Sequence, residues 1–268
     1  MAVAGDAHRA GGIRVQREAP VATVWLDHPG RMNAITSSMW RELARVFAAL
    51  SADADLRCVV VRGAGGHFAA GADIREFPRV RADLDQVQAY HRQIIAPALQ
   101  AISQCIHPVL AVIEGVCVGG GLEIASVCDL RVATRDARFG APINRLGFPM
   151  APDEMRGLLA LAGRAVTLEI LLEGRVFDAQ EALSKGLLTR VVEVADLQTE
   201  QAATVARLCA GAPLAARGNK RIAARLSTDS QPLTPAEWQA CFSYACGPDH
   251  QEGVQAFLDG RPPVFKGE

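Results

Sequence analysis

The sequence lacks the features that mark membrane, secreted and nucleic-acid-binding proteins. No apolar stretch approaches the roughly 20 residues that a membrane-spanning helix needs. Residues 1–12 contain no hydrophobic core of a secretory signal, and we expect them to form a loose lead-in. The 28 basic and 29 acidic side chains nearly cancel, so charge does not favour binding to nucleic acid or to a membrane surface. We therefore expect a cytoplasmic protein with neither kind of partner.

Cysteine occurs without any spacing that predicts a disulfide framework or a metal site. None of the seven cysteines belongs to a CxxC pair, and no His/Cys spacing is typical of zinc. Several lie within apolar runs, where a free thiol behaves as a small hydrophobic group. We predict a reducing compartment, no structural disulfide and no metal ion. The lack of internal repeats and low-complexity linkers favours one compact subunit.

Predicted strands and helices alternate along the first half of the chain. Short apolar runs typical of buried strands occupy 21–26, 58–61, 109–113 and 130–134. Apolar residues recur at helical spacing between them, for example after Ser37, which is suited to cap a helix. This alternation predicts an α/β protein built from stacked βα units. After Phe148 the pattern becomes mostly helical, with a predicted strand at 189–192.

Two glycine-bearing segments follow predicted strands and are the most informative part of the sequence. Residues 67–74 have the sequence HFAAGADI, and residues 115–123 have the sequence GVCVGGGLE. Small residues between a strand and a helix let backbones approach closely and leave N–H groups without partners. Two such loops side by side could hold one oxygen between two N–H donors, as an enolate or a tetrahedral intermediate requires. Glu123 would lie one turn into the second helix, close to that oxygen.

These two segments, together with CDLRVA at 128–133, resemble the crotonase (enoyl-CoA hydratase/isomerase) superfamily. The resemblance extends from about Asn33 to Phe257. It implies an α/β fold with a crotonase-like ββα spiral over residues 13–200 and a C-terminal helical trimerisation region over residues 201–268, in a homotrimer or homohexamer. It also implies an acyl-CoA substrate, of which coenzyme A is a part, and no separate cofactor.

The resemblance assigns the two N–H donors to Ala70 and Gly120. Gly120 would lie at a helix N-terminus, where free N–H groups and the helix dipole both favour negative charge. The alternative is that the glycines serve only for close packing of strand and helix. A dinucleotide-binding loop is disfavoured, because the three glycines at 119–121 do not have the GxGxxG spacing.

Glu123 is the first candidate for a catalytic acid or base. Its helix is apolar on nearly every side, through Leu122, Ile124, Ala125 and Val127. We therefore expect the carboxyl to be partly buried and its pKa to be raised toward neutral pH. Its position matches one of the two glutamates that hydratases of the family use. The alternative is an acidic residue that only stabilises the helix N-terminus.

The second glutamate of the family's hydratases is missing. The corresponding stretch, FGAP at 139–142, is followed by Ile143. Because hydration needs one group that deprotonates water and one that supplies a proton to the α-carbon, this departure weakens the case for ordinary hydratase activity. Asp153, with Glu154 as second choice, could supply the missing acid, although both are also suited to a helix first turn. Bulky residues at 148–150 predict an apolar wall around the acyl group.

Coenzyme A recognition is implied by the resemblance alone. The family binds the adenine against the backbone of the first glycine loop, here Ala70, Gly71, Ala72, Asp73 and Ile74. Arg31 matches a basic residue near the phosphates, a role to which a guanidinium is suited; the alternative is a solvated turn residue. Phe257 matches a position that packs near the adenine of a neighbouring subunit, and Arg261 could replace a lysine expected at position 260.

We predict an enoyl-CoA hydratase-like lyase that stabilises the enolate of an acyl-CoA thioester, with Glu123 as acid and base. An enoyl-CoA isomerase that uses Glu123 alone is the first alternative, since one carboxylate can move a proton between two carbons. A non-catalytic acyl-CoA binder is the second alternative. Ile143 favours it, whereas the retention of a semi-buried and therefore costly Glu123 speaks against it.

Overall fold

The chain forms two β-sheets in the computed structural model, which describes residues 10–268. The strands, in chain order, are β1 Gly12–Glu18, β2 Val21–Asp27, β3 Cys58–Gly63, β4 Val109–Ile113, β5 Val116–Val118, β6 Leu130–Thr134, β7 Arg138–Gly140, β8 Phe177–Asp178 and β9 Arg190–Val192. The larger sheet has the order β1-β2-β3-β4-β6-β9, and the smaller sheet has the order β5-β7-β8. Pairing in the larger sheet is parallel from β2 to β9. Most of the predicted lead-in, residues 1–9, lies outside the described residues.

The hydrophobic pattern explains the central strands. Both β3 and β4 are buried along their whole length, as strands covered on both faces are. The strands predicted at 21–26, 58–61, 109–113, 130–134 and 189–192 are confirmed within a residue or two. The sequence does not predict β1, β5, β7 and β8, because β1 is mostly polar and exposed and the others have only two or three residues.

The helices lie between and after the strands. In chain order they are α1 Ser37–Ser51, α2 Phe77–Val80, α3 Leu84–Ala89, α4 Ala96–Ser103, α5 Gly120–Val127, α6 Pro152–Glu173, α7 Ala179–Ser184, α8 Leu197–Ala210, α9 Pro213–Thr228, α10 Pro235–Cys241 and α11 Pro248–Leu258. Between α3 and α4 the chain stays helical through a π-helical segment, Tyr90–Ile95. Within residues 10–268, no helix combines the length and the apolar character needed to cross a membrane.

Successive turns of the chain repeat one order of elements. Strand β4 lies in the larger sheet, β5 lies in the smaller sheet, and α5 follows. Strands β6 and β7 and the short helix Pro142–Leu146 repeat this order. After β3, Ala69 forms a bridge to Cys117 of β5 in place of a longer strand. This is the ββα spiral that the resemblance implies, and it brings the loops after β3 and β5 next to each other.

Helix α1 contributes its apolar face to the core and one side chain to the site. Thr36 is its N-cap, because Thr36 Oγ1 accepts a hydrogen bond from Met39 N at 3.2 Å, and the predicted cap, Ser37, is the first helical residue. The buried face contains Met39, Trp40, Leu43, Val46, Phe47 and Leu50. Their helical spacing confirms the predicted amphipathic helix.

The C-terminal helices begin inside the core and then leave it. In α8, Leu197 is buried in one cluster with Val60 and Val132 of the larger sheet. The predicted division between residues 200 and 201 therefore falls within α8, and α9–α11 form the region beyond it. Exposed apolar side chains are frequent in that region and the tail after it: Leu214, Leu226, Trp238, Phe242, Tyr244, Val254, Phe257, Leu258 and Val264. Its role in trimerisation stays a prediction.

Candidate active site

The two glycine loops lie against each other. Ala69 N donates to Val116 O at 2.9 Å, and Val118 N donates to Ala69 O at 3.0 Å. A methyl group on Gly121 would lie 2.4 Å from Ala69 O, a distance at which the backbones would have to separate. Glycine is therefore required where the loops meet, and the loops are side by side as the sequence predicts.

Several N–H groups at this junction have no acceptor among the described residues, and those of Ala72 and Gly120 are two of them. A methyl group built on Gly120 would lie 3.5 Å from Ala72 N, so the two groups are neighbours. Ala70, the predicted donor, is not free, because its N–H donates to Met32 O at 2.9 Å. Gly71, with a φ of +95°, turns the chain between Ala70 and Ala72. The N–H of Ala70 is therefore not available as predicted, and Ala72 and Gly120 carry the neighbouring free N–H groups; a role of these groups as oxyanion donors stays a prediction.

Glu123 lies in the first turn of α5 and lines a pocket beside these donors. Only 5% of the residue is exposed, which confirms the expected burial. Burial, together with the nearby Glu154, raises the pKa of the Glu123 carboxyl well above its usual range, against the opposing effect of Arg81. A carboxyl in this state can donate a proton and, once ionised, accept one.

A second carboxyl group lines the same pocket, and it belongs to Glu154. Glu154 is buried in the first turn of α6, and Ile143 lines the pocket where the hydratases' second glutamate is expected. Asp153 lies outside this lining; its side chain is 52% exposed and accepts from Arg156 Nε at 3.0 Å. Because successive helix residues differ by about 100° in direction, one of the two acids faces the pocket and the other faces solvent. Glu154, the second choice, therefore lines the pocket in place of Asp153, and the catalytic role of either acid stays a prediction.

Glu154 is held by a histidine from another element. His91 Nδ1 lies 2.5 Å from Glu154 Oε1. His91 belongs to the π-helical segment Tyr90–Ile95, and such segments frequently occur at functional sites. Its ring packs edge-on against Tyr90, with the centroids 5.4 Å apart. The sequence gives no indication of this contact, because the two residues are 63 positions apart and lie on separate elements.

Arg81 is the basic side chain of the pocket lining. Its guanidinium carbon lies 4.0 Å from the ring centroid of Phe77, 4.6 Å from that of Tyr90 and 4.7 Å from that of Phe148. Burial lowers the pKa of Arg81, although a guanidinium stays charged at neutral pH. Sequence reasoning missed this residue, because nothing in the arginine-rich stretch after Glu76 distinguishes it from its exposed neighbours.

The rest of the pocket lining is mostly apolar, and its larger side chains are Trp40, Ile74, Phe77, Ile95, Ile143, Leu146 and Phe148. Phe148 confirms part of the predicted apolar wall, whereas Pro149 and Met150 lie outside the lining. The pocket is open to solvent at its mouth, and a mostly apolar lining with a few polar groups is typical of small-molecule sites.

Sequence comparison assigns the chain to a known family. A family model described as Enoyl-CoA hydratase/isomerase matches residues 16–268. The chain belongs to the enoyl-CoA hydratase/isomerase family. This finding confirms the resemblance to the crotonase superfamily.

Relatives within the enoyl-CoA hydratase/isomerase family differ in the reactions that their names describe. The probable enoyl-CoA hydratase echA8 of Mycobacterium tuberculosis is 33% identical over 257 residues, covering 94% of this chain and 97% of the relative. The mitochondrial Delta(3,5)-Delta(2,4)-dienoyl-CoA isomerase of Rattus norvegicus is 33% identical over 210 residues, covering 75% and 64%. A crystal structure of an enoyl-CoA hydratase/carnithine racemase from Magnetospirillum magneticum matches with a TM-score of 0.93 at 46% identity, covering 96% of each chain. Family membership is thus compatible with either a hydratase or an isomerase reaction.

The loop predicted to bind the adenine borders the pocket. Gly71, Ala72 and Ile74 are lining residues, and Ile74 is half exposed. Asp73 caps the short helix that begins at Ile74, where its Oδ1 accepts from Arg75 N at 3.2 Å. Adenine binding against this loop stays a prediction.

The other predicted coenzyme A contacts lie outside the pocket lining. Arg31 follows the turn after β2 and is partly exposed. Phe257, on α11, is 85% exposed. Arg261 donates two hydrogen bonds, of 2.7 and 2.9 Å, to Glu252, so the cation proposed to replace a lysine is already paired within the chain. The roles of Arg31 and Phe257 stay predictions.

Proposed function

We propose that the protein is a hydratase-type lyase, which adds water across the α,β double bond of an enoyl-CoA thioester. The observation behind this proposal is that two buried carboxyl groups, Glu123 and Glu154, line one pocket beside the free N–H groups of Ala72 and Gly120. Glu154 would supply the second carboxyl that is lost at Ile143. Family membership supports an acyl-CoA thioester as the substrate class.

The thioester oxygen would accept hydrogen bonds from Ala72 N and Gly120 N. Gly120 is the first residue of α5, so the helix dipole adds positive potential at this point. Attack of water on the β-carbon moves negative charge onto the oxygen as an enolate forms. Donors that are already in place stabilise this charge without reorganisation, and each typically contributes about 10²–10³ in rate.

The two carboxyl groups would divide the proton transfers. Because burial favours the neutral form of Glu123, Glu123 is suited to give a proton to the α-carbon. Glu154, which His91 Nδ1 holds in place, would accept a proton from water as the water oxygen bonds to the β-carbon. Passage of that proton from Glu154 to Glu123 restores the starting state, and the net reaction adds one water molecule.

Isomerisation of an enoyl-CoA is the second candidate, and the apolar surroundings of the acids favour it. Ile143, Leu146 and Phe148 line the pocket and disfavour a bound water. In this reaction a carboxyl group would remove a proton from the α-carbon and return it to the γ-carbon through the same enolate. The dienoyl-CoA isomerase among the relatives supports this alternative. A non-catalytic binder is disfavoured, because two buried carboxyl groups are costly to keep.

The absorbance of the conjugated thioester distinguishes these reactions with two substrates. Hydration of crotonyl-CoA removes this absorbance, whereas isomerisation of 3-hexenoyl-CoA creates it. We expect Glu123→Gln and Glu154→Gln each to lower kcat with crotonyl-CoA by about 10²–10⁴-fold, the usual contribution of a positioned acid or base. Asp153→Asn, the matched change one residue away, is expected to leave kcat unchanged.

Loss of activity in Asp153→Asn, with full activity in Glu154→Gln, would contradict the assignment of Glu154. Turnover of 3-hexenoyl-CoA without hydration of crotonyl-CoA would identify an isomerase. No turnover of either substrate, with thioester affinity unchanged in Glu123→Gln, would identify a binding protein.

A further inference from the structure

Arg81 is a cation in the pocket lining that forms no close ion pair within residues 10–268, although the carboxyl groups of Glu123 and Glu154 act on it at longer range. Its Nε is buried and has no hydrogen-bond partner within residues 10–268. Arg79, two positions earlier, is instead exposed and pairs with Glu76 at 3.1 Å. A buried donor without an acceptor costs free energy, and the cost is larger for a charged group. The environment of Arg81 therefore favours an acceptor that is not part of the chain.

The rings around Arg81 leave its N–H groups available. Phe77, Tyr90 and Phe148 lie within 4.7 Å of the guanidinium carbon, measured to the ring centroids. A cation–π contact is made with the face of the ring and does not occupy the N–H groups of the guanidinium. A carboxylate, by contrast, accepts hydrogen bonds from these N–H groups. A planar guanidinium matches the geometry of a carboxylate, to which it donates two parallel hydrogen bonds. A carboxylate is thus the ligand group that Arg81 is best suited to bind.

The acids of the pocket do not satisfy Arg81. Glu154 is hydrogen-bonded to His91 at 2.5 Å, and within residues 10–268 neither Glu123 nor Glu154 comes within ion-pair distance of Arg81, on which both act only at longer range. Among residues 10–268, Arg81 is also the sole cationic side chain in the pocket lining. An anionic group that enters this pocket would therefore pair with Arg81.

We propose that the acyl group of the substrate carries a free carboxylate at the end opposite the thioester and that Arg81 binds this carboxylate. The proposal rests on the proposed function, because it requires an acyl-CoA thioester in the pocket. The thioester oxygen would lie at Ala72 and Gly120, and the distal carboxylate would lie among the aromatic rings. The rings exclude water, which strengthens the ion pair. The substrate class is then an ω-carboxyacyl-CoA rather than a simple fatty acyl-CoA.

Saturated thioesters test this proposal, because they cannot be hydrated and their dissociation constants report binding alone. Three pairs with equal chain lengths vary the reach of the carboxylate: succinyl- with butanoyl-CoA, glutaryl- with pentanoyl-CoA, and adipoyl- with hexanoyl-CoA. By titration calorimetry, we expect the dicarboxylic member of at least one pair to bind about tenfold more tightly or better, as a charge-assisted hydrogen-bonded pair provides.

Three variants identify the side chain responsible. Arg81→Met keeps an apolar side chain among the rings but removes the charge, and it is expected to abolish the preference for the dicarboxylic member. Arg81→Lys, which keeps the charge without the planar fork, is expected to retain part of the preference and serves where Arg81→Met does not fold. Arg79→Met removes an exposed arginine outside the pocket lining and is expected to retain all of it.

The possible failures are distinguishable. Equal affinity within all three pairs would overturn the role of Arg81 and leave the hydratase proposal standing. Equal weakening of both members in Arg81→Met would overturn it as well, since Arg81 would then bind the coenzyme A part. A carboxylate preference that Arg81→Met abolishes, without hydration of any unsaturated thioester, would support Arg81 as the carboxylate-binding residue and contradict the hydratase reaction alone.

Discussion

Glu123 shows how the surroundings of one residue determine its chemistry. Its carboxyl is buried in an apolar helix and lies close to Glu154, and both effects favour the neutral form. Arg81 acts in the opposite direction but is the smallest of the three effects, so the pKa of the carboxyl stays well above its usual range. A buried carboxyl that is neutral at neutral pH is suited to donate a proton.

The raised pKa of Glu123 makes the stability of the protein depend on pH. The folded state holds this proton to higher pH than the unfolded chain, in which the group titrates near 4.5. Its contribution to stability is therefore fully present below about pH 4.5 and is lost as the pH rises through the folded pKa. We expect Glu123→Gln, which cannot ionise, to have the higher free energy of unfolding, by a margin that grows with pH.

Urea denaturation of both proteins at several pH values measures this margin. Asp153→Asn is the control, because it makes the same change from a carboxyl to an amide at a half-exposed side chain outside the pocket lining. A margin for Glu123→Gln that stays constant or shrinks as the pH rises would contradict the assigned direction.

Residue roles that depend on the direction of a side chain or of a backbone N–H group could not be predicted from the sequence. Asp153 and Glu154 are adjacent acids in a helix first turn, and sequence alone gives no way to choose the one that faces the pocket. Ala70 and Ala72 differ in whether a neighbouring loop accepts their N–H, and only Ala70 has such an acceptor, Met32 O. In both cases the choice depends on the packing of distant segments.

At the scale of elements, the N-terminus of α5 is the part of the fold on which the site depends most. Gly119, with a φ of +49°, lets the chain turn from β5 into the helix. A methyl group on Gly120 would lie 2.9 Å from Trp40 Cζ2 of α1, so α1 packs directly against the start of α5. The position of the Gly120 N–H is thus determined by contact between two helices.

Substitution of Gly120 by alanine tests this dependence. We expect the added methyl to displace either Trp40 or the first turn of α5 and to lower kcat with crotonyl-CoA by about 10²–10³-fold, the effect of losing one oxyanion donor. Gly218→Ala in α9 is the matched control, since its methyl would meet nothing within 4 Å. It is expected to keep full kcat and to raise the unfolding free energy by up to about 1 kcal/mol. Full activity in Gly120→Ala would contradict the donor assignment.

Elements with strong periodic patterns were predictable, and elements created by packing were not. Continuous apolar runs identify β3 and β4, and a helical stripe identifies α1. Strands β5 and β7 have three residues each and exist because the turns of the spiral stack on one another. The π-helical segment with His91 likewise has no local pattern that marks it.

At the scale of the whole molecule, the notable feature is the apolar surface after α8, which the described residues of a single chain leave exposed to solvent. Trp238 and Phe242 stack with their ring centroids 5.8 Å apart, and both are more than half exposed. Exposed apolar patches of this kind mark interaction sites. We propose that α9–α11 form the contact between subunits of a homotrimer or homohexamer, in which Phe257 of one subunit reaches the coenzyme A of another.

Light scattering of the purified protein tests this assembly. We expect a mass of three or six chains, and a lower mass for the double variant Trp238→Glu, Phe242→Glu, because two charges in an apolar contact are costly to bury. The double variant Arg135→Glu, Glu193→Arg exchanges an exposed ion pair elsewhere and is expected to keep the mass. A monomeric wild-type protein would show that the proposed assembly is wrong.

The amino-acid sequence by itself determined the family and its spiral fold through the resemblance of its motifs, and it determined the long apolar strands, the two glycine loops and the burial of Glu123 through local composition and periodicity. Patterns of this kind do not depend on distant contacts. Only the tertiary structure decided that the Ala72 N–H is free while that of Ala70 is not, that Glu154 lines the pocket while Asp153 does not, that His91 contacts Glu154, and that Arg81 lines the pocket. The physical reason is that hydrogen-bond partners and side-chain directions are set by segments that meet only when the spiral closes.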